Sequence, residues 1–477
     1  MQYYRMYQTL GMHRNVSPLA VLKGEWKKMV NWDVAKIGCA TKRDGYISIL
    51  NAPDASEILS IMAFEVGTIR KLIMINAAGK LYVADPVSDS TWGAAKLTGL
   101  STTARWTGAM LHDDAGVAVF VFGNGVETYR TSDASTFVNA NSTDGAPLAP
   151  FWTTWQERVY AAGVPADKDV LHWCSIGNAK NWSAVSPSDS ASLNIDKFSG
   201  GVIQNIRMVN DRIVIWKEKL TKRWDEEYLR TVLDSNGLTA PYSLADINGM
   251  SFSLDRNAIR LYDGNVPQEI SSKIEDLILG IDMGTTNIQR ICASVLNKRY
   301  LLSVGNITDE DGDTISNAWI VYDYNKNAFW LYSLAVQATA MAKLRCFDGV
   351  ERIYFGGTAG TVFEMFSGDT DNGTEIEALM SSHITYPAGA ELFIDPKKII
   401  LASKAGNEMT VQLRDDNSDN VMTIGEFEKS VSNNLTDELG NDVLGLEVTV
   451  THTTKGKPIF YGYTLGYDVE GSKLMLE

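Results

Sequence analysis

A strand-turn-strand unit recurs about every 45 residues between Ile58 and Gly368, and a repeat of that length built from strands is the pattern of propeller blades. Leu72-Ile73-Met74-Ile75 is followed by Gly79-Lys80-Leu81-Tyr82-Val83, and Val119-Phe120-Val121-Phe122 by Gly123-Asn124-Gly125. Arg158-Val159-Tyr160 precedes Val170-Leu171-His172-Trp173, and Arg212-Ile213-Val214-Ile215-Trp216 stands alone. Ala258-Ile259-Arg260-Leu261-Tyr262 runs into Asp263-Gly264, Trp319-Ile320-Val321-Tyr322-Asp323 leads to Phe329-Trp330, and Ile353-Tyr354-Phe355-Gly356-Gly357 to Gly360-Thr361-Val362-Phe363. Apolar residues alternate with period two, and the Gly, Asn and Asp clusters supply tight positive-φ turns. For these repeating units strand is preferred over helix. Six or seven blades fit, since 289–333 can hold one long blade or parts of two; unrelated hairpins in two sandwiches are the competing arrangement.

The expected fold is therefore all-β: a β-propeller of six or seven blades over 56–368, a C-terminal antiparallel β-sandwich over 369–477, and an extended N-terminal segment, 1–55, that contributes strands to later domains. The turn formers Gly368-Asp369-Thr370-Asp371-Asn372-Gly373 mark the boundary. Beyond it, Glu375 to Tyr386, Lys398 to Ala402, Met409 to Leu413, Leu446 to His452 and Ile459 to Leu465 read as strands, and Asn417 to Asn441 as a long exposed hairpin or loop. In the N-terminal segment Val16-Ser17-Pro18-Leu19 and Ala35 to Cys39 look extended, and Lys42 to Tyr46 looks like a turn into a strand. Ser272 with Glu275 predicts a capping box opening one helix between two blades.

At 477 residues, 45% hydrophobic and 21% charged, the chain has ample material for a core. No apolar run is long enough to span a membrane as a helix, so no stable membrane insertion is expected, and the amino terminus lacks the apolar core of a signal peptide. Cys39, Cys174, Cys292 and Cys346 are scattered and predict free thiols. A net charge of −15 argues against a protein that grips nucleic acid. The basic runs Lys23 to Lys28 and Lys217 to Arg223 are short, contain Glu, and read as solvated faces.

Catalytic constellations are thin, and no catalytic, cofactor-binding or metal residues are assigned. His13, His112, His172, His383 and His452 offer no two-histidine metal spacing. His112-Asp113-Asp114 reads as a loop, and Ser88-Asp89-Ser90-Thr91-Trp92 as a structural turn. Arg70, Arg105, Arg130, Arg158, Arg207 and Arg260 are candidates for a central funnel, although their spacing does not follow the blades. Asp309 to Asp313, and Asp369, Asp371 and Glu375, offer oxygen ligands for calcium but match no EF-hand, so hairpin tips are the preferred reading. Trp152, Trp155, Trp173 and Trp182 fit a sugar platform or, preferably, core.

Val16 to Leu19, Asn31-Trp32-Asp33-Val34, Lys42 to Tyr46, Glu269 to Ile278, Val321-Tyr322-Asp323 with Trp330, the 368–373 turn, and Tyr463-Thr464-Leu465-Gly466-Tyr467-Asp468-Val469 form a set of short motifs. Together they resemble the tail hub or nozzle proteins of short-tailed phages. The resemblance implies a non-enzymatic virion component, assembled in the host cytoplasm as a ring, expected to be a homo-hexamer. Such a ring sits beneath portal and tail adaptor, contacts tail fibres or spikes, and passes viral DNA through its lumen without specific binding. An acidic lumen lined by loops such as Asp309 to Asp313 would repel phosphate. A receptor-binding or fibre-attachment propeller at the tail tip is the alternative, and a propeller glycoside hydrolase or lyase a third reading that needs paired carboxylates in the funnel.

Overall fold

The computed structural model describes all residues except 37, 51, 115, 184–188, 226, 235–236, 391, 405–408, 417–420, 428–431, 435–442 and 473–477. The protein is all-β; among the described residues the α-helices are three short ones, Ala140–Asp144, Glu275–Leu279 and Thr285–Arg290. Six antiparallel four-stranded arrays follow one another over 58–98, 107–139, 151–194, 203–234, 245–269 and 292–333, each with its strands in chain order. The ambiguous stretch 289–333 thus holds one array. A seventh consists of Ala338–Arg345, Glu351–Gly357 and Val362–Met365, completed by Tyr46–Ile49 from the N-terminal segment.

Central strands are buried on both faces because each sheet lies between two others. Ala118–Gly123 is buried at every position. Its Phe120 and Phe122 share a core with Phe64 and Ile75 of the first sheet, while Val119 and Val121 face Trp152 and Ala161 of the third. A strand in that position reads as a continuous apolar run, and each fully buried side chain contributes roughly 1.5–3 kcal/mol. The same contact continues onward: Tyr160 with Ile213 and Ile215, then Trp216 with Tyr262. Phe252 stacks on Tyr300 at 5.0 Å, and Trp319 meets Phe355 edge-on at 5.3 Å. Finally Ala342 and Tyr354 of the seventh sheet share a cluster with Leu72 and Met74 of the first.

The N-terminal segment is threaded through this assembly. Gln2–Met6 pairs with Ile459–Ser472, and Lys28–Val30 lies between Ala328–Ser333 and Ala378–Ser381, splicing the sixth array into a nine-stranded sheet. Tyr46–Ile49 runs antiparallel to Val362–Met365, and Gly45 lies so close to the Thr370 carbonyl that a side chain there would collide with it. The C-terminal strands Leu392–Lys404 and Ile459–Ser472 form one sheet, with Trp32–Lys36 and Cys39–Lys42 beside them; Ala378–Ser381, Leu446–His452, Met409–Asp415 and Val421–Phe427 belong to the nine-stranded sheet. Trp26 and Trp32 fill the space between, 5.8 and 6.4 Å from the Phe460 ring.

Several local expectations are corrected. Val16 to Leu19 is not extended: the Ala20 amide donates to the Ser17 carbonyl and closes a turn. The helix at Glu275–Leu279 exists without the capping box, because Ser272 lies inside a 3-10 turn, Ser272–Ile274, that runs directly into it. No free helix start remains for Ser272 to cap. The basic runs are solvated only in part, at Lys23 and Lys219. Lys27 and Lys28 pair with Asp311 and Asp313, each at 2.7 Å, and Lys217 is fully buried, 3.0 Å from Asp169 and from the carbonyl oxygens of Ile195 and Asp196. The predicted loop from Asn417 to Asn441 falls mostly outside the described residues; within it, Val421–Phe427 and Ser432–Asn434 are strands.

Candidate functional site

Strands from opposite sides of the molecule converge on a cavity of about 250 Å³, lined by Ser60 to Ala63, Arg105 to Gly108, Phe120, Arg207, Tyr242, Leu244, Cys292, Ala293 and Met341 to Lys343. No carboxylate is among its lining residues. Arg105 is 8% exposed; its Nε donates to the Leu59 carbonyl at 2.9 Å and Nη1 to the Gln289 carbonyl. Its guanidinium lies 4.1 Å from the centre of the Tyr242 ring, a cation–π contact. Arg207 donates through Nη1 to the carbonyls of Trp152 and Ile206 at 3.2 and 3.3 Å, and its Nε is 3.4 Å from Asp246. Lys343 is 3.4 Å from Glu351.

Burial raises the Asp246 carboxyl above its ordinary range, with Arg207 opposing, although the side chain is 36% exposed. Burial also pushes the Cys292 thiol up to about 11, with Arg105 pulling the other way, so at neutral pH it is a neutral thiol and a poor nucleophile.

Of the six arginines weighed from sequence, the structure brings Arg105 and Arg207 to this cavity and uses the rest elsewhere. Arg130 pairs with Asp144, Arg158 with Asp189 at 2.6 Å, and Arg260 with Asp255, while Arg70 donates to its neighbour's carbonyl. Tyr242, in the 3-10 turn Pro241–Ser243, and Lys343 escaped sequence reasoning, and Cys292 was read only as a free thiol; nothing in their local sequence points to a shared cavity.

The remaining candidates resolve into structure. Trp152 donates to the Ala149 carbonyl and meets Trp182 edge-on, whereas Trp155 and Trp173 cluster around Trp224 between the third and fourth sheets. That is core and interface, with no sugar platform. In the His112 to Asp114 turn, the Asp113 side chain accepts from the Val117 amide. Asp89 closes its own turn by accepting from the Asp85 amide at 2.7 Å, and Trp92 is buried.

Both acidic loops meet cations from the N-terminal segment. Asp309 and Asp311 lie 3.5 and 3.6 Å from Arg14, in addition to the Lys27 and Lys28 pairs. Asp371 is held by Arg43, and Asp369 and Glu375 act on Lys42. Among the described residues no group of three His, Cys, Asp or Glu is placed to hold a metal ion. The four cysteines are buried and free. A second cleft, about 620 Å³, lies between the sixth and seventh sheets and the C-terminal strands. Its charges are largely spent on each other: Arg299 with Asp33 at 3.0 Å, Arg352 with Glu364 at 3.3 Å, and Lys457 with Asp44.

No protein-family model matches the chain, and no curated protein matches it. Among solved structures, it is similar to the extracellular domain described as that of a one-component system of B. thetaiotaomicron, at 8% identity and a TM-score of 0.45. That alignment covers 90% of this chain and 61% of the other. A second, described as the extracellular domain of a hybrid two-component system of B. thetaiotaomicron, gives 9% identity and a TM-score of 0.44 over 87% and 59% of the two chains. The chain thus spans about three fifths of the length of these structures.

Proposed function

We propose that the chain is a non-enzymatic structural subunit of a phage tail, a hub or nozzle protein built as a seven-bladed propeller whose last blade is closed by an N-terminal strand. The contact of Leu72 and Met74 with Tyr354 supports the ring, since it joins the first and last blades. The observation that carries the functional reading is the threading of the N-terminal segment. Lys28–Val30 ties the sixth array to Ala378–Ser381 of the C-terminal region, and Tyr46–Ile49 adds a strand to the seventh array beside Thr370–Asp371. A tail channel under load from packaged DNA needs its modules fixed in this way.

In this reading the C-terminal sheets make the contacts of a homo-hexamer beneath the adaptor, and DNA passes through the assembled ring. The lumen's acidity comes from the overall charge of −15 and not from Asp309 to Asp313, whose carboxylates are balanced by Arg14, Lys27 and Lys28. A surplus of carboxylates repels phosphate and leaves DNA free to slide. Mixing the purified chain with a portal–adaptor complex and imaging the product tests this. A ring seated below the adaptor, without retention of duplex DNA at physiological salt, is expected; tight DNA binding or polysaccharide cleavage would contradict it.

A further inference from the structure

Three arginines are buried among the described residues: Arg14, Arg43 and Arg105. Arg14 faces Asp276 at 2.6 Å and Arg43 faces Asp371 at 2.6 Å. Arg105 has no carboxylate partner among the described residues: it meets two backbone carbonyls, the Tyr242 ring and the neutral Cys292 thiol. A guanidinium cannot shed its proton, and buried charges are as a rule paired with an opposite charge. A buried guanidinium with no carboxylate beside it, at the wall of a cavity, is suited to meet an anion.

The surroundings define what that anion is. Arg207 lines the same cavity, and its one carboxylate partner, Asp246, is at a long 3.4 Å. Nη2 of Arg207 makes no hydrogen bond among the described residues, and Arg105 meets only the Cys292 thiol besides its two carbonyls and the Tyr242 ring. Ser60, Thr107 and Lys343 make the wall partly polar, and Met62, Phe120 and Met341 form an apolar patch within it. Two forked donors favour a planar oxyanion, and the apolar patch gives a short carbon body a place to pack. We infer that the central cavity binds a small organic carboxylate, its carboxyl group on Arg105 and Arg207 and its apolar part against Met62, Phe120 and Met341. This goes beyond the tail role and does not depend on it.

Calorimetric titration of the full chain with sodium benzoate, and separately with sodium phosphate at matched ionic strength, tests the site. Benzoate is expected to bind saturably at one site. Arg207→Gln, which also gives up the bond to the Trp152 carbonyl and the pairing with Asp246 and so is checked for folding by its unfolding midpoint, should weaken it about tenfold, the effect of losing one charge-assisted contact. Arg105→Gln should abolish it, with the unfolding midpoint checking that the protein still folds, because Arg105 also holds Leu59 and Gln289. No saturable benzoate binding to the wild type, equal affinity in a folded Arg207→Gln variant, or phosphate bound as tightly as benzoate would overturn the assignment.

Discussion

Arg43 and Asp371 form a bidentate ion pair in the interior, Nη1 to Oδ1 at 2.7 Å and Nη2 to Oδ2 at 2.6 Å. The Arg43 side chain is 0% exposed, and its remaining donors reach Asn31 Oδ1 and the carbonyls of Asp44 and Ser333. One side chain thus joins the N-terminal segment, the end of the sixth array and the hairpin after the seventh. Removing one partner leaves an unpaired buried charge, which costs about 3–5 kcal/mol. Asp371→Asn is expected to lower the denaturant midpoint accordingly, and Arg43→Met with Asp371→Leu to recover part of the loss. Equal stability of Asp371→Asn and wild type would show that the pair does not hold the segment.

Deleting residues 1–49 removes the strand that pairs with Val362–Met365 and the one between Ala328–Ser333 and Ala378–Ser381. Bare strand edges recruit other chains. The truncated protein is expected to aggregate on refolding, and a peptide covering residues 24–52 to restore monodisperse material in light scattering. A soluble, cooperatively folding truncation would refute the closure role.

Calcium at millimolar concentration is expected to leave the thermal midpoint unchanged, because Arg14, Lys27 and Lys28 balance Asp309, Asp311 and Asp313. A specific ligand at a hundred times its Kd would stabilise by about 2.7 kcal/mol, a shift easily seen by calorimetry.

Stability should fall as pH drops from 6.5 to about 4. His452 is 1% exposed, and burial together with Lys42, whose Nζ is 3.4 Å from Nδ1, pushes its pKa down to about 4. Across that window the unfolded chain takes a proton that the folded protein refuses, so the contribution is fully present above pH 6.5 and lost towards pH 4. It amounts to roughly 3 kcal/mol. His383 is lowered by burial too and adds in the same direction. In urea melts His452→Gln should flatten the slope; an unchanged slope would assign the pH dependence to other groups.

The repeating strands were legible because both faces of a stacked sheet are apolar, so runs such as Val119 to Phe122 stand out without any knowledge of their partners. What joins them was not. Val30 meets Leu331 and Tyr46 meets Met365 across some 300 residues, and no local pattern encodes such a register. Charge was misread for the same reason: Lys217 and Lys27 look like solvated residues until distant carboxylates are placed beside them. The central cavity was half visible, as two of six arginines, since only the convergence of separate sheets distinguishes Arg105 from Arg130.

The measurement that bears most directly on the proposed role is a search for this chain in purified virus particles by mass spectrometry, with electron-microscopic localisation of a tagged copy. Stoichiometric copies on the tail axis beneath the portal are predicted. Absence of the chain from particles that are otherwise complete would contradict the tail assignment.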